Sequence, residues 1–209
     1  MTTVAEARGA LLRRGLRLEY LTVGWNIVEG LIAVGAGVAA GSIALIGFGV
    51  DSFVETISGA VLIWRLSAEA RGTLDEEDVE RIEHRAERLV GVAFLVLAAY
   101  VAVEAIDTLI GQEVPRASPV GIAVTAVSIV VMLWLARQKR LTGLALGSRA
   151  LVADAQQTSA CWYLSIVTLT GLALNALLGW WWADPVAALG IAVLLVREGL
   201  EALHGEDGD

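Results

Sequence analysis

Apolar residues dominate long stretches of this chain, and polar ones are gathered between them. Six windows are each long and apolar enough to cross a bilayer as a helix: 18–39, 42–64, 89–111, 117–136, 150–178 and 185–204. A helix needs about 20 such residues to span the hydrocarbon core. The pattern predicts an all-α fold, a bundle of six transmembrane helices forming one domain over residues 1–209. The link GAGVAAGS is short, so the first two spans should form an antiparallel hairpin. The charged window 66–88 reads as a helical connector on the membrane surface. QEVPRASP breaks the chain between spans three and four, RQKRLTGLALGSR links four and five, and GWWWADP links five and six. Pro185 sits at the start of the last helix, where proline is tolerated.

Composition supports a polytopic membrane protein. Hydrophobic residues make up 56% of the 209 positions and charged residues only 18%, below the roughly 25% usual in soluble domains. The net charge of −8 comes largely from the connector, with Glu69, Asp75, Glu76, Glu77, Asp78, Glu80, Glu83 and Glu87, and from the tail EALHGEDGD. Both read as solvated segments. Arg13, Arg14 and Arg17 lead into a long span with no small-residue cleavage site, which predicts an uncleaved first helix. Among the 15 Lys and Arg residues, only Arg116 falls on the side of the first hairpin. The positive-inside rule then places both termini in the cytoplasm. Trp180, Trp181 and Trp182 suit the outer interface, where indole rings favour headgroup depth. One cysteine permits no internal disulfide. A multi-pass protein of a bacterial-type plasma membrane is expected.

Ionisable residues inside these spans are the chemistry to explain. A carboxylate at mid-membrane costs on the order of 2.5–3.5 kcal/mol on insertion scales. Asp51 and Glu55 lie four residues apart, so they share a helix face, with Ser52 and Ser58 close to it. Two acids this close repel unless a proton or a cation lies between them. Span five repeats the spacing with Gln157 and Cys161, and Asp154 lies on the same face. Two helices that each offer such a pair form a four-ligand cage when packed side by side. Asn26 and Glu29 in span one are candidates for a proton or cation relay. Glu104 and Asp107 lie nearer the outer side, and Asp184 reads as a helix cap before Pro185. His84 and His204 fall in the connector and the tail. A mid-membrane site would therefore use oxygen and sulfur, which suits zinc, manganese, iron, cobalt or cadmium.

These segments resemble the cation diffusion facilitator family. GSIALIGFGVDSFVETISGAVLIWR is similar to that family's second helix, with its Gly-Ser-x-Ala-Leu start and Asp-Ser-x-x-Asp core. SRALVADAQQTSACWYLS is similar to the fifth helix and ADPVAALGIAVLL to the sixth. The resemblance implies a divalent metal, zinc foremost, as substrate. It also implies a site between helices two and five, efflux in exchange for protons, and a homodimer. Asp51 and Glu55 match the family's two helix-two carboxylates. Gln157 and Cys161 stand where the family usually has His and Asp, and Asp154, one turn away, is a candidate to replace the lost acid. The family commonly carries a soluble metal-binding domain after helix six. Only the short tail follows here, so a dimer is expected to rest on other helix contacts.

Two alternatives remain open at this point. One is a proton-coupled exporter of organic cations, and the other is a membrane scaffold or metal sensor that does not transport. An enzyme is not expected: no nucleophile–base pair or phosphate loop lies in the hydrophilic segments. Neither an organic cofactor nor nucleic acid is implied.

Overall fold

The computed structural model describes residues 2–71, 76–112 and 114–204, with side chains described from Glu6 onward except those of 72–87, 113 and 204. Among the described residues there are six α-helices and no strand: α1 (Thr2–Ala40), α2 (Ile43–Arg71), α3 (Glu76–Gly111), α4 (Pro119–Leu146), α5 (Arg149–Leu178) and α6 (Ala183–His204). The first five are long and apolar enough to cross a membrane. The 22 residues of α6 rise about 33 Å at 1.5 Å each, but Asp184, Arg197, Glu198 and Glu201 shorten the apolar run between them.

Helix ends depart from the sequence expectation in two places. Window 66–88 is not a separate surface connector. Its flanks are continuations of α2 to Arg71 and of α3 from Glu76. RQKRLTGLAL is not a linker but the last part of α4. The segment contains no proline, so the backbone ladder continues after the apolar window ends. Only Gly147 and Ser148 separate α4 from α5. Gly147 closes α4 in the left-handed region at φ 72°, and the Ser148 hydroxyl accepts from the Leu151 N–H to start α5. This short reversal makes α4 and α5 antiparallel neighbours. Ser118 caps α4 in the same way, accepting from the Gly121 N–H at 3.1 Å.

The helices pack as a ring of four with a pair beside it. Helix α1 lies on α2, α2 on α5, α5 on α4, and α4 on α1, closing the ring. Helices α3 and α6 pack on each other and meet the ring along α2 and α5. Small residues permit the close approaches. A side chain at Gly49 would reach within 2.8 Å of the Val34 backbone nitrogen of α1. Gly91 of α3 and Gly199 of α6 oppose each other, each with its missing Cβ position 3.0 Å from the other's carbonyl oxygen.

Asp184 has a different role from the expected cap of its own helix. It is fully buried and accepts from the Ser42 hydroxyl at 2.5 Å and the Ile43 N–H at 3.1 Å. The carboxylate therefore satisfies donors at the start of α2 and ties α6 to it. Trp180 and Trp182 stack with centroids 5.2 Å apart in the turn before α6 and stay about four-tenths exposed (43% and 41%).

Candidate cation site between α2, α5 and α6

Asp51, Glu55, Gln157 and Cys161 line one small cavity of ≈ 10 Å³. That is about the space one water-sized centre occupies. Asp51 and Glu55 come from successive turns of α2, and Gln157 and Cys161 from successive turns of α5. Ala160 and Leu164 of α5, Phe94 of α3 and Glu198 of α6 complete the wall. Asp51, Glu55 and Cys161 are all buried.

Hydrogen bonds hold the cavity wall only in part. Thr158 donates to Glu55 Oε1 at 2.9 Å, while Glu55 Oε2 has no hydrogen-bond partner. Ser58 donates to Gln157 Oε1 at 2.9 Å, and Gln157 Nε2 is unpartnered. A hydroxyl both donates and accepts, so a half-turn of this amide keeps its bond to Ser58 and exchanges the two ends. Among the described residues, no three His, Cys, Asp or Glu side chains converge closely enough to hold a metal ion. The cavity thus gathers the groups without forming a finished coordination sphere.

A wider vestibule of ≈ 360 Å³ adjoins this cavity. Phe94, Gln157 and Glu198 line both spaces. Asp154, Glu201 and Ser58 line the vestibule but not the inner cavity. Asp154 lines the vestibule, but it is not a free acid there. Its Oδ2 accepts a hydrogen bond and ion pair from Lys139 of α4.

Lys139 anchors a buried charge cluster that sequence reasoning missed. It is fully buried and also lies 3.1 Å from Glu19 Oε2 of α1, itself fully buried. Its third partner is Thr158 Oγ1 at 3.2 Å. An ammonium has three N–H donors, and three acceptors surround it. Thr158 has one proton, which serves either Glu55 Oε1 or the Asp154 carbonyl oxygen at 3.1 Å. This threonine joins the cluster of Glu19, Lys139 and Asp154 to the cavity acid Glu55. Core phase is the signal that could have revealed it. Lys139 continues the buried series Met132, Leu135, Ala136, Thr142, Gly143 and Leu146, whereas Arg137 and Arg140 fall outside it.

Asn26 and Glu29 are fully buried on α1, and no side-chain oxygen or nitrogen of either has a hydrogen-bond partner. Glu29 faces Ser128 of α4 and lies close enough to Glu55 for their charges to interact. They do not line the small cavity. Glu104 and Asp107 stand apart, on a cavity of ≈ 280 Å³ lined wholly by α3 residues. The side chains of His84 and His204, most of the connector acids and the last five residues lie outside the described residues.

The description "cation efflux transmembrane domain" matches residues 21–204, which include every side chain of the cavity. The chain belongs to the cation efflux family. This is a family of transport proteins, not of enzymes, and the chain is a multi-pass integral membrane protein. It is 28% identical over 192 residues to a protein of Synechocystis sp. named as an uncharacterized transporter, covering 88% of this chain and 60% of the relative. It is 26% identical over 179 residues to an uncharacterized transporter of Methanocaldococcus jannaschii, covering 85% of this chain and 63% of the relative. The chain therefore spans about six-tenths of the length of these relatives.

Proposed function

We propose that the protein is a secondary transporter that moves a divalent transition-metal cation across the membrane, in efflux, in exchange for protons. The observation that carries this reading is the meeting of Asp51, Glu55, Gln157 and Cys161 on one buried cavity. Two carboxylates match the charge of a divalent ion, and an amide and a thiol add neutral oxygen and softer sulfur. Cation binding requires deprotonated carboxylates. Protons reaching Asp51 and Glu55 from the opposite side convert them to neutral acids and release the ion. Alternating access then needs the ring helices to tilt around this site.

The cavity size bears on the rival substrates. The inner cavity of ≈ 10 Å³, where Asp51 and Glu55 meet, accommodates a bare ion but not an organic ligand, which needs about 300–1,000 Å³. The vestibule of ≈ 360 Å³ reaches that size but borders neither carboxylate. Zinc heads the expected ions, with manganese, iron, cobalt and cadmium admitted by the same donors. In this reading Asp154 acts near the entrance in association with Lys139, and Glu29 with Asn26 serves as a proton relay to Glu55. Both termini face the cytoplasm in this reading, and a homodimer forms through helix faces.

Proteoliposomes with an internal pH dye test it. The expected result is metal-driven proton movement in the wild type and none in Asp51→Asn of equal folded yield. Wild-type flux in Asp51→Asn would overturn the reading.

A further inference from the structure

Among the described residues, Glu198 is the one ionisable residue that borders both the inner cavity and the vestibule. Its position follows from helix phase. Ala188, Ile191 and Leu195 are the fully buried stripe of α6, and Glu198 comes one turn after Leu195 on that stripe. It is half-buried, while its neighbour Arg197 turns outward and pairs with Glu201 at 2.7 Å. The other two residues shared by the cavities are Phe94, an apolar ring, and Gln157, an amide.

A hydrated ion fits the vestibule of ≈ 360 Å³ but not the inner cavity of ≈ 10 Å³. It must lose water at the neck between them. Phe94 offers no replacement ligand, and Gln157 offers an amide oxygen, which accepts from Ser58, but no charge. The Glu198 carboxylate offers both charge and oxygen at that point, as pore-lining oxygens do when they replace a hydration shell. Beyond the neck, the Glu55 oxygen without a partner, on a residue only 2% exposed, points to a ligand further in.

We infer that Glu198 is a cation-binding residue at the neck, which takes a divalent cation from the vestibule and passes it to Asp51 and Glu55. The inference rests on the transport reading above and adds an α6 ligand to an α2–α5 site. Its effect is on capture. An acid in a focusing cleft raises local cation concentration and arrival rate by about tenfold or more, so its loss should appear in KM before kcat.

The test is zinc- and manganese-driven flux in proteoliposomes of the full chain, comparing wild type, Glu198→Gln, Glu198→Asp, Glu104→Gln and Asp51→Asn. Glu198→Gln should raise the cation KM about tenfold or more at little change in kcat, and Glu198→Asp should recover most of the loss. Glu104→Gln, on the separate α3 cavity, should match the wild type. If Asp51→Asn abolishes flux while Glu198→Gln keeps the wild-type KM, the role of Glu198 is refuted and the transport reading stands. If Asp51→Asn transports normally, the transport reading itself fails. If Glu198→Gln does not fold, Glu198→Asp and Glu198→Ser decide by the same KM comparison.

Discussion

Replacing Lys139 by methionine should destabilise the protein as much as truncating a large buried apolar side chain. The ammonium is fully buried and shares three acceptors: Asp154 Oδ2, Glu19 Oε2 at 3.1 Å and Thr158 Oγ1 at 3.2 Å. Methionine fills similar volume but leaves Glu19, fully buried, and Asp154, 6% exposed, with no cation between them. Breaking a buried ion pair by removing one partner typically costs about 3–5 kcal/mol, because the remaining charge is left unpaired. Removing all charges together is often neutral. Lys139→Met should therefore lose about 3–5 kcal/mol, and Glu19→Gln/Lys139→Met/Asp154→Asn should recover most of it. The assay is equilibrium unfolding in mixed micelles, read by tryptophan fluorescence, over the full cycle of single, double and triple variants. Contacting residues of one network should couple by about 0.5–3 kcal/mol. A loss under about 1 kcal/mol in Lys139→Met, or a triple variant no better than the single one, contradicts charge pairing as the reason the lysine is buried.

Two further outcomes follow from the site and its frame. Asp184→Ala removes the acceptor of the Ser42 hydroxyl and the Ile43 N–H; unfolding measurements should show a loss of about 1–3 kcal/mol, with cation KM unchanged. Cys161→Ser exchanges a soft donor for a hard one, so the ratio of cadmium to manganese flux should fall several-fold while total manganese transport persists.

Much of the fold was legible because a membrane span needs a long apolar run. The six windows correspond to the six helices, and the short hairpin between the first two is a two-residue turn at Gly41 and Ser42. Helix ends were less legible. Apolarity marks the bilayer, not the helix, and α1 and α3 continue well beyond their apolar windows, to Thr2 and Glu76. Asp184 shows a related limit. Its position before Pro185 suggests a cap for the following helix, but packing of α6 against α2 puts the Ser42 hydroxyl and Ile43 N–H within its reach. Sequence-local rules do not see donors supplied by another element.

The candidate site divides along the same line. Asp51 with Glu55, and Gln157 with Cys161, were found because each pair repeats on one helix face inside an apolar window, where a polar residue stands out. Lys139 escaped because it lies beside Arg137 and Arg140, and a basic cluster after a span reads as an interfacial anchor. Phase separates the three: Lys139 is buried while Arg137 and Arg140 are exposed. Glu19 follows the same logic, since Glu19, Thr22, Asn26 and Glu29 are all fully buried on one face of α1. Glu198, at the charged end of α6, stands in phase with Leu195 and reaches the cavity neck. In each case the missed residue sits at the edge of an apolar window, where composition alone says solvent. Helix phase places it inward, and for Lys139 and Glu19 the partner helix supplies the opposite charge that makes burial tolerable.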